Sequence, residues 1–247
     1  MPSKPIFMIC GDKGGVGKSV VSLALLDRCL SRAGSALLVE TDTTNPDVWR
    51  GYAGEEGVLA ESVDLDRADG WIALVNLCDR HRDRAAIVNT AARNNAGVGA
   101  HGGTLHGALA ELGRPLVALW VINRQRDSLE LLKRFLAAMP AATVHVLRNL
   151  YWGDETKFER YDGSELRGLV EARGGRSLNF PELADRVADD LFSGRLSIAR
   201  ALRDLPLGNR AELRRWQKAC AVVLDAVIGI DGADADEERA DVREATA

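Results

Sequence analysis

Cysteine is scarce in this 247-residue chain: Cys10, Cys29, Cys78 and Cys220 lie far apart and form no Cys-x-x-Cys pair. That pattern excludes a disulfide framework and a thiolate zinc site, and predicts reduced, buried thiols. Histidine is equally sparse. His81, His101, His106 and His145 lack metal-ligand spacing, His101 and His106 being five apart rather than the four that would place both on one helix face. No apolar run approaches the roughly 18 residues needed to span a bilayer. The first one, Ile6–Cys10, is also too short for a signal peptide, so the expected location is the cytoplasm. No internal repeat and no linker to a second domain is visible.

What is present is enough for one sizeable core, with 46% hydrophobic and 28% charged residues, which excludes a disordered or fibrous chain. The net charge of −4 is misleading. Residues 231–247 hold seven acids and two arginines, or −5, leaving +1 on the other 230 residues. The expected organisation is therefore one domain over 1–230 and an acidic tail too poor in apolar residues to order itself.

Strand-length apolar runs occur at 6–10, 36–39, 85–88, 116–122 and 143–147, mostly separated by helix-length stretches. This alternation predicts an α/β fold, a doubly wound and mostly parallel sheet with helices on both faces. Residues 20–32, 105–112 and 128–138 carry apolar residues at helical spacing, the last after Asp127 as a capping candidate. From Pro181 onward the pattern is helical, with Leu183, Val187 and Leu191 on one stripe and Leu213, Trp216, Cys220, Val223, Leu224 and Val227 on another. This last third is expected to pack on the sheet.

The most informative stretch is Ile9-Cys-Gly-Asp-Lys-Gly-Gly-Val-Gly-Lys-Ser19, between the first expected strand and the first expected helix. Backbone N–H groups and the helix dipole can hold a polyphosphate there. Gly14, Gly15 and Gly17 let the chain wrap closely, Val16 and Val20 offer backbone N–H groups, Lys18 can reach the β- and γ-oxygens, and the Ser19 hydroxyl can ligate Mg²⁺.

The loop departs from the standard Gly-x-x-x-x-Gly-Lys-Ser, because Asp12 replaces the first glycine and Lys13 precedes Gly14-Gly15. It resembles the deviant Walker A motif of the ParA/MinD family of P-loop ATPases. The resemblance implies that Lys13 acts in trans across an ATP-sandwiched homodimer, with ATP and Mg²⁺ as ligands. Val20 stands where many relatives have a hydroxyl residue.

At the end of the second expected strand, Glu40 and Asp42 fall on one side of the sheet's carboxyl edge. The stretch resembles the family's Asp-x-Asp segment. On that resemblance Asp42 orients or activates the attacking water, Glu40 replaces the first acid, and Ser19, Asp42 and Glu40 are the candidate metal ligands. The alternative is a polar turn in which Asp42 or Asp47 caps the next segment. The strand at 85–88, the third in this reading, ends in Asn89 where the family carries its Walker B Asp. An amide keeps the acceptor oxygen and loses the charge, so hydrolysis is expected to be slow. Asp83, in a charged run at the wrong end of that strand, is expected to be a solvated loop residue.

By the same resemblance, Asn149 at the end of the strand from 143 would meet adenine, and Pro181 would lie in a loop closing over the base. Seven basic residues between Arg195 and Lys218 face only two acids, a surface able to hold nonspecific DNA. Membrane targeting of the MinD kind is not expected, since the end of the chain is acidic. The implied function is an ATP-dependent dimerising switch ATPase in plasmid or chromosome partitioning or plasmid DNA mobilisation, with an unidentified protein partner. A nucleotide-dependent adaptor with little turnover is the alternative.

Overall fold

The computed structural model describes residues 4–11 and 14–228; the acidic tail and Lys13 lie outside them. β1 (Ile6–Gly11) is followed by α1 (Lys18–Ala33), β2 (Ala36–Glu40), α2 (Asp47–Tyr52), β3 (Val58–Ser62), α3 (Ala68–Arg80) and β4 (Ala85–Asn89). Next come α4 (Asn95–His101), α5 (Gly103–Leu112), β5 (Leu116–Ile122), α6 (Asp127–Ala138) and β6 (Thr143–Asn149). The chain continues with α7 (Glu159–Asp162), α8 (Glu165–Ala172), β7 (Ser177–Phe180), α9 (Asp185–Ser193), α10 (Ile198–Asp204) and α11 (Leu207–Ile228).

The seven strands form one parallel sheet in the order β3-β2-β4-β1-β5-β6-β7. The expected doubly wound α/β architecture is observed. Two short strands were not foreseen, β3 and β7, both at the sheet's edges, so Ala85–Asn89 is the fourth strand rather than the third. Asp127 is the first helical residue of α6 rather than its cap, placing a carboxylate at the positive end of the helix dipole.

Alternate residues of each strand serve opposite faces. Met8, Val39, Val88, Trp120 and Val146 pack with Trp71 of α3, Leu105 of α5 and Phe135 of α6. Phe7, Leu38, Ile87, Leu119 and Leu147 pack with Leu25 of α1, Leu191 of α9 and Trp216 of α11. The C-terminal helices thus cover the sheet on the side of α1, as their stripes predict. Trp216 is fully buried and its indole N–H donates to the Pro181 carbonyl at 2.9 Å.

The sheet's amino edge is closed by one side chain. Arg114 is buried and donates to the carbonyls of Lys4 (2.7 Å), Pro5 (3.1 Å), Cys78 (2.6 Å) and Arg84 (2.7 Å). It joins the starts of β1 and β4 to the end of α3, and burial lowers its pKa. At the carboxyl edge the connections diverge: β1 leads toward β2, while β4 leads across β1 to β5. Such a divergence opens a crevice between the ends of β1 and β4.

Candidate functional site

The crevice is lined by Gly14, Gly15, Gly17, Lys18, Ser19 and Val20 from the loop and α1, Asp42, Asn45 and Asp47 from the β2–α2 connection, Asn89, Thr90 and Ala92 after β4, and Phe192 of α9. Its volume is about 360 Å³. Gly15 (φ 78°) and Gly17 (φ 109°) take left-handed conformations that side chains resist. Gly17 also caps α1, whose first turn is Lys18-Ser19-Val20. The N-terminus of a long helix therefore opens on the cleft, with its N–H groups and dipole available to an anion. Lys18 is buried and Ser19 half-buried.

Asp42 Oδ1 accepts from the N–H groups of Thr44 (3.2 Å) and Asn45 (3.1 Å), so this carboxylate both lines the cleft and closes the turn after β2. Arg93, in the short 3-10 turn after β4, donates to Asp42 Oδ1 (3.3 Å) and Thr43 Oγ1 (3.1 Å) and pairs with Asp66 at 2.6 Å. These contacts raise the Arg93 pKa, the Asp66 hydrogen bond most of all. Asp47 starts α2 and accepts from Asn45 Nδ2 at 2.6 Å.

Three comparisons with known proteins bear on this arrangement. No family model matches the chain. Protein MobD from Acidithiobacillus ferrooxidans is 57% identical over 226 residues, which cover 92% of this chain and 99% of that protein. The chain belongs to the MobD family. Among solved structures, a ParA family ATPase from Chlorobium tepidum TLS aligns at TM-score 0.50 and 11% identity over 88% of this chain and 98% of that one. A nucleotide-binding protein in complex with ADP from Archaeoglobus fulgidus aligns at TM-score 0.46 and 13% identity, over 78% and 87% of the two chains. The resemblance to the ParA/MinD class thus holds at the level of the fold.

One expected site residue of this MobD family member stands elsewhere than anticipated. Glu40, a candidate metal ligand, is not on the cleft wall. It is fully buried, and Oε1 accepts from the N–H groups of Thr41 and Asp42 (3.0 Å each) while both oxygens accept from Asn89 Nδ2 (3.0 and 3.1 Å). Burial pushes its carboxyl up to about 7, against the pull of these donors. Asn89 lies between it and the cleft, so a direct metal bond from Glu40 does not fit the geometry. Ser19 and Asp42 do share the cleft, and one or two protein oxygens beside nucleotide phosphates are what Mg²⁺ requires. Among the described residues no cluster of three or more His, Cys, Asp or Glu could hold a metal unaided.

Asn149, expected to meet adenine, braces the loop. Its Nδ2 donates to the Val16 carbonyl at 2.8 Å and its Oδ1 accepts from the Tyr151 N–H at 3.1 Å. A Cβ on Gly17 would lie 2.3 Å from the same Nδ2. Pro181 follows Phe180, the register partner of Asn149, so both residues stand side by side at the carboxyl edge, though neither lines the cleft.

Sequence reasoning missed Ser22, Thr41, Arg93, Asn94 and Phe192. Ser22 lies one helical turn beyond Lys18 and donates to Asn89 Oδ1 at 2.9 Å. Thr41 Oγ1 bonds the Asn89 carbonyl (3.0 Å) and Asn94 Oδ1 (2.5 Å), tying β2 to β4. The i, i+4 spacing of Lys18 and Ser22 was the one available signal; the other contacts are made across the fold.

Of the seven basic residues between Arg195 and Lys218, Arg200 pairs with Glu55 and Arg215 with Glu212. Arg195, Arg203, Arg214, Arg215 and Lys218 are exposed, with Arg214 and Lys218 one turn apart on α11. No described helix is long and apolar enough to cross a membrane.

Proposed function

We propose that this MobD family member is a nucleotide-dependent switch: it binds ATP with Mg²⁺ in the β1–α1 loop, closes as a homodimer, and reopens on slow hydrolysis. The observation that carries this reading is the convergence of the glycine loop, Lys18, Ser19 and Asp42 on one cleft at the point where the sheet's connections diverge. The backbone N–H groups from Gly14 to Val20 would bind the phosphates and Lys18 would reach the β- and γ-oxygens. Ser19 and Asp42 would hold Mg²⁺, which when bound supplies positive charge against those oxygens. Asp42, held by two N–H groups and Arg93, would orient an attacking water. Lys13 would cross to the partner's phosphates, where a closing interface that excludes water makes a second cation most effective.

Kinship with MobD and resemblance to the ParA/MinD class support a role in plasmid mobilisation or in partition of plasmid or chromosomal DNA. The exposed basic residues around α10 and α11 would hold nonspecific duplex, and a protein partner would read the dimer. A cytoplasmic, single-domain protein of residues 1–230 with an acidic tail is consistent with this role. The test is binding of a fluorescent ATP analogue together with phosphate release. Wild type should bind and turn over slowly, and Lys18→Ala should lose at least about tenfold in affinity, the effect of one charge-assisted contact. Binding unaffected by Lys18→Ala would sink the proposal. The adaptor reading is favoured by one observation, the amide at Asn89, and predicts analogue binding with phosphate release no higher than in Lys18→Ala.

A further inference from the structure

We propose that Asn89 and Glu40 are a matched amide–carboxylate pair: Glu40 is a positioning residue that aims Asn89 and gathers the β2–α2 connection, and the negative charge of this site is held one layer behind the cleft. Every hydrogen bond on the Glu40 oxygens comes from an N–H donor, and a carboxylate so surrounded only accepts, whereas an amide both donates and accepts. Glu40 therefore fixes which way Asn89 points, with Nδ2 toward both carboxylate oxygens and Oδ1 toward the Ser22 hydroxyl at 2.9 Å. Ser22 and Glu40 are fully buried and Asn89 is 3% exposed, so bulk water does not relieve a mismatch. The same carboxylate accepts from the N–H groups of Thr41 and Asp42, and the Trp49 backbone adds a further donor from α2. Glu40 thus joins the end of β2, the start of α2 and the end of β4, and Asn89 carries the link on to α1 through Ser22.

The amide at position 89 is then not a defect that an acid would mend. Asp at that position would set two carboxyl groups about 3 Å apart in a dry site, where like charges repel strongly unless one group takes up a proton, at a cost that grows with pH. Exchanging both residues restores complementarity with the polarity reversed. Gln at position 40 can accept the backbone N–H groups through Oε1 and donate through Nε2 to Asp at position 89, which still accepts from Ser22. The exchange also moves the charge onto the cleft wall.

The experiment is a double-mutant cycle on the full chain with Asn89→Asp, Glu40→Gln and the double variant, read first as thermal melting of the nucleotide-free protein at about pH 8.5, where a proton shared between two carboxyl groups is costly. Asn89→Asp should melt at least about 5 °C below wild type, since a kilocalorie is worth about 2–4 °C at this size. Glu40→Gln should lose less, and the double variant should return to within about 2 °C of wild type. Melting of Asn89→Asp at the wild-type temperature, or a double variant no better than Asn89→Asp or not recovered folded, would overturn the pairing.

The second reading rests on the proposed nucleotide site: the Mg²⁺ concentration giving half-maximal binding of a fluorescent ATP analogue should fall about tenfold in the double variant. An unchanged Mg²⁺ requirement would overturn the placement of the charge behind the cleft. The two failures are separable. A wild type that binds no nucleotide defeats the switch reading and leaves the melting cycle intact, whereas a cycle without coupling defeats the pairing and leaves nucleotide binding intact.

Discussion

Gly17 shows how little freedom the phosphate loop has. Its φ of 109° is foreign to side chains, and a Cβ would strike the Asn149 amide at 2.3 Å. Gly17→Ala should therefore cost more than about 1 kcal/mol, through both strain and displacement of the Asn149 brace. Melting curves should show the loss, and analogue binding should weaken alongside it. A second residue-scale prediction concerns His145, which is buried on β6 with Nδ1 accepting the Arg176 N–H at 3.1 Å. Burial, helped by the nearby Arg176 charge, lowers its pKa from 6.5 to about 4. The unfolded chain thus binds a proton that the folded chain refuses between those values. Its contribution is present in full above about pH 6.5 and is lost as the pH falls toward about 4. His145→Asn keeps an acceptor and removes the titration, so the difference in melting temperature between variant and wild type should change in the variant's favour across that window. A difference independent of pH would count against this assignment.

The elements show which parts of the fold were legible and why. β1, β5 and β6 announce themselves because their apolar runs are buried on both faces, and the glycine loop gives away the β1–α1 join. β3 and β7 do not. Val58-Leu-Ala-Glu-Ser62 and Ser177-Leu-Asn-Phe180 are short edge strands, partly exposed, whose weak patterning carries little sequence signal. The candidate site divides in the same way. Lys18, Ser19 and Asp42 could be located from local motif and strand end, whereas the burial of Glu40 behind Asn89 depends on a register between β2 and β4 that no local pattern encodes. The contact of Asn149 with Val16 was not legible, because which strand end faces the loop is decided by sheet order. At this scale α11 should be indispensable. Trp216→Ala removes a fully buried ring and a hydrogen bond to Pro181, and should cost about 3–5 kcal/mol in chemical denaturation. Arg114→Met leaves four carbonyls at the amino edge without their donor and should cost at least about 2 kcal/mol, with nucleotide affinity little changed in the surviving folded fraction.

For the whole molecule, the switch proposal makes a prediction about mass. Light scattering should give a monomer without nucleotide and a doubled mass with a nonhydrolysable ATP analogue and Mg²⁺, and Lys13→Ala should abolish the doubling while leaving analogue affinity within about threefold. A mass insensitive to nucleotide would defeat the dimerising cycle. Shifts of nonspecific duplex DNA should weaken with salt and be lost when Arg214 and Arg215 are neutralised.

The parallel sheet has a consequence for biosynthesis. β1 leaves the ribosome well before its partners, which begin at Ala86 and Leu116, so the strand bearing the glycine loop has neither neighbour until β4 emerges and is flanked on both sides only after β5. Its apolar stretch therefore spends much of translation unpaired, a window in which nascent chains can associate with one another. Slower synthesis at low temperature, or extra holding chaperone, should raise the yield of folded protein.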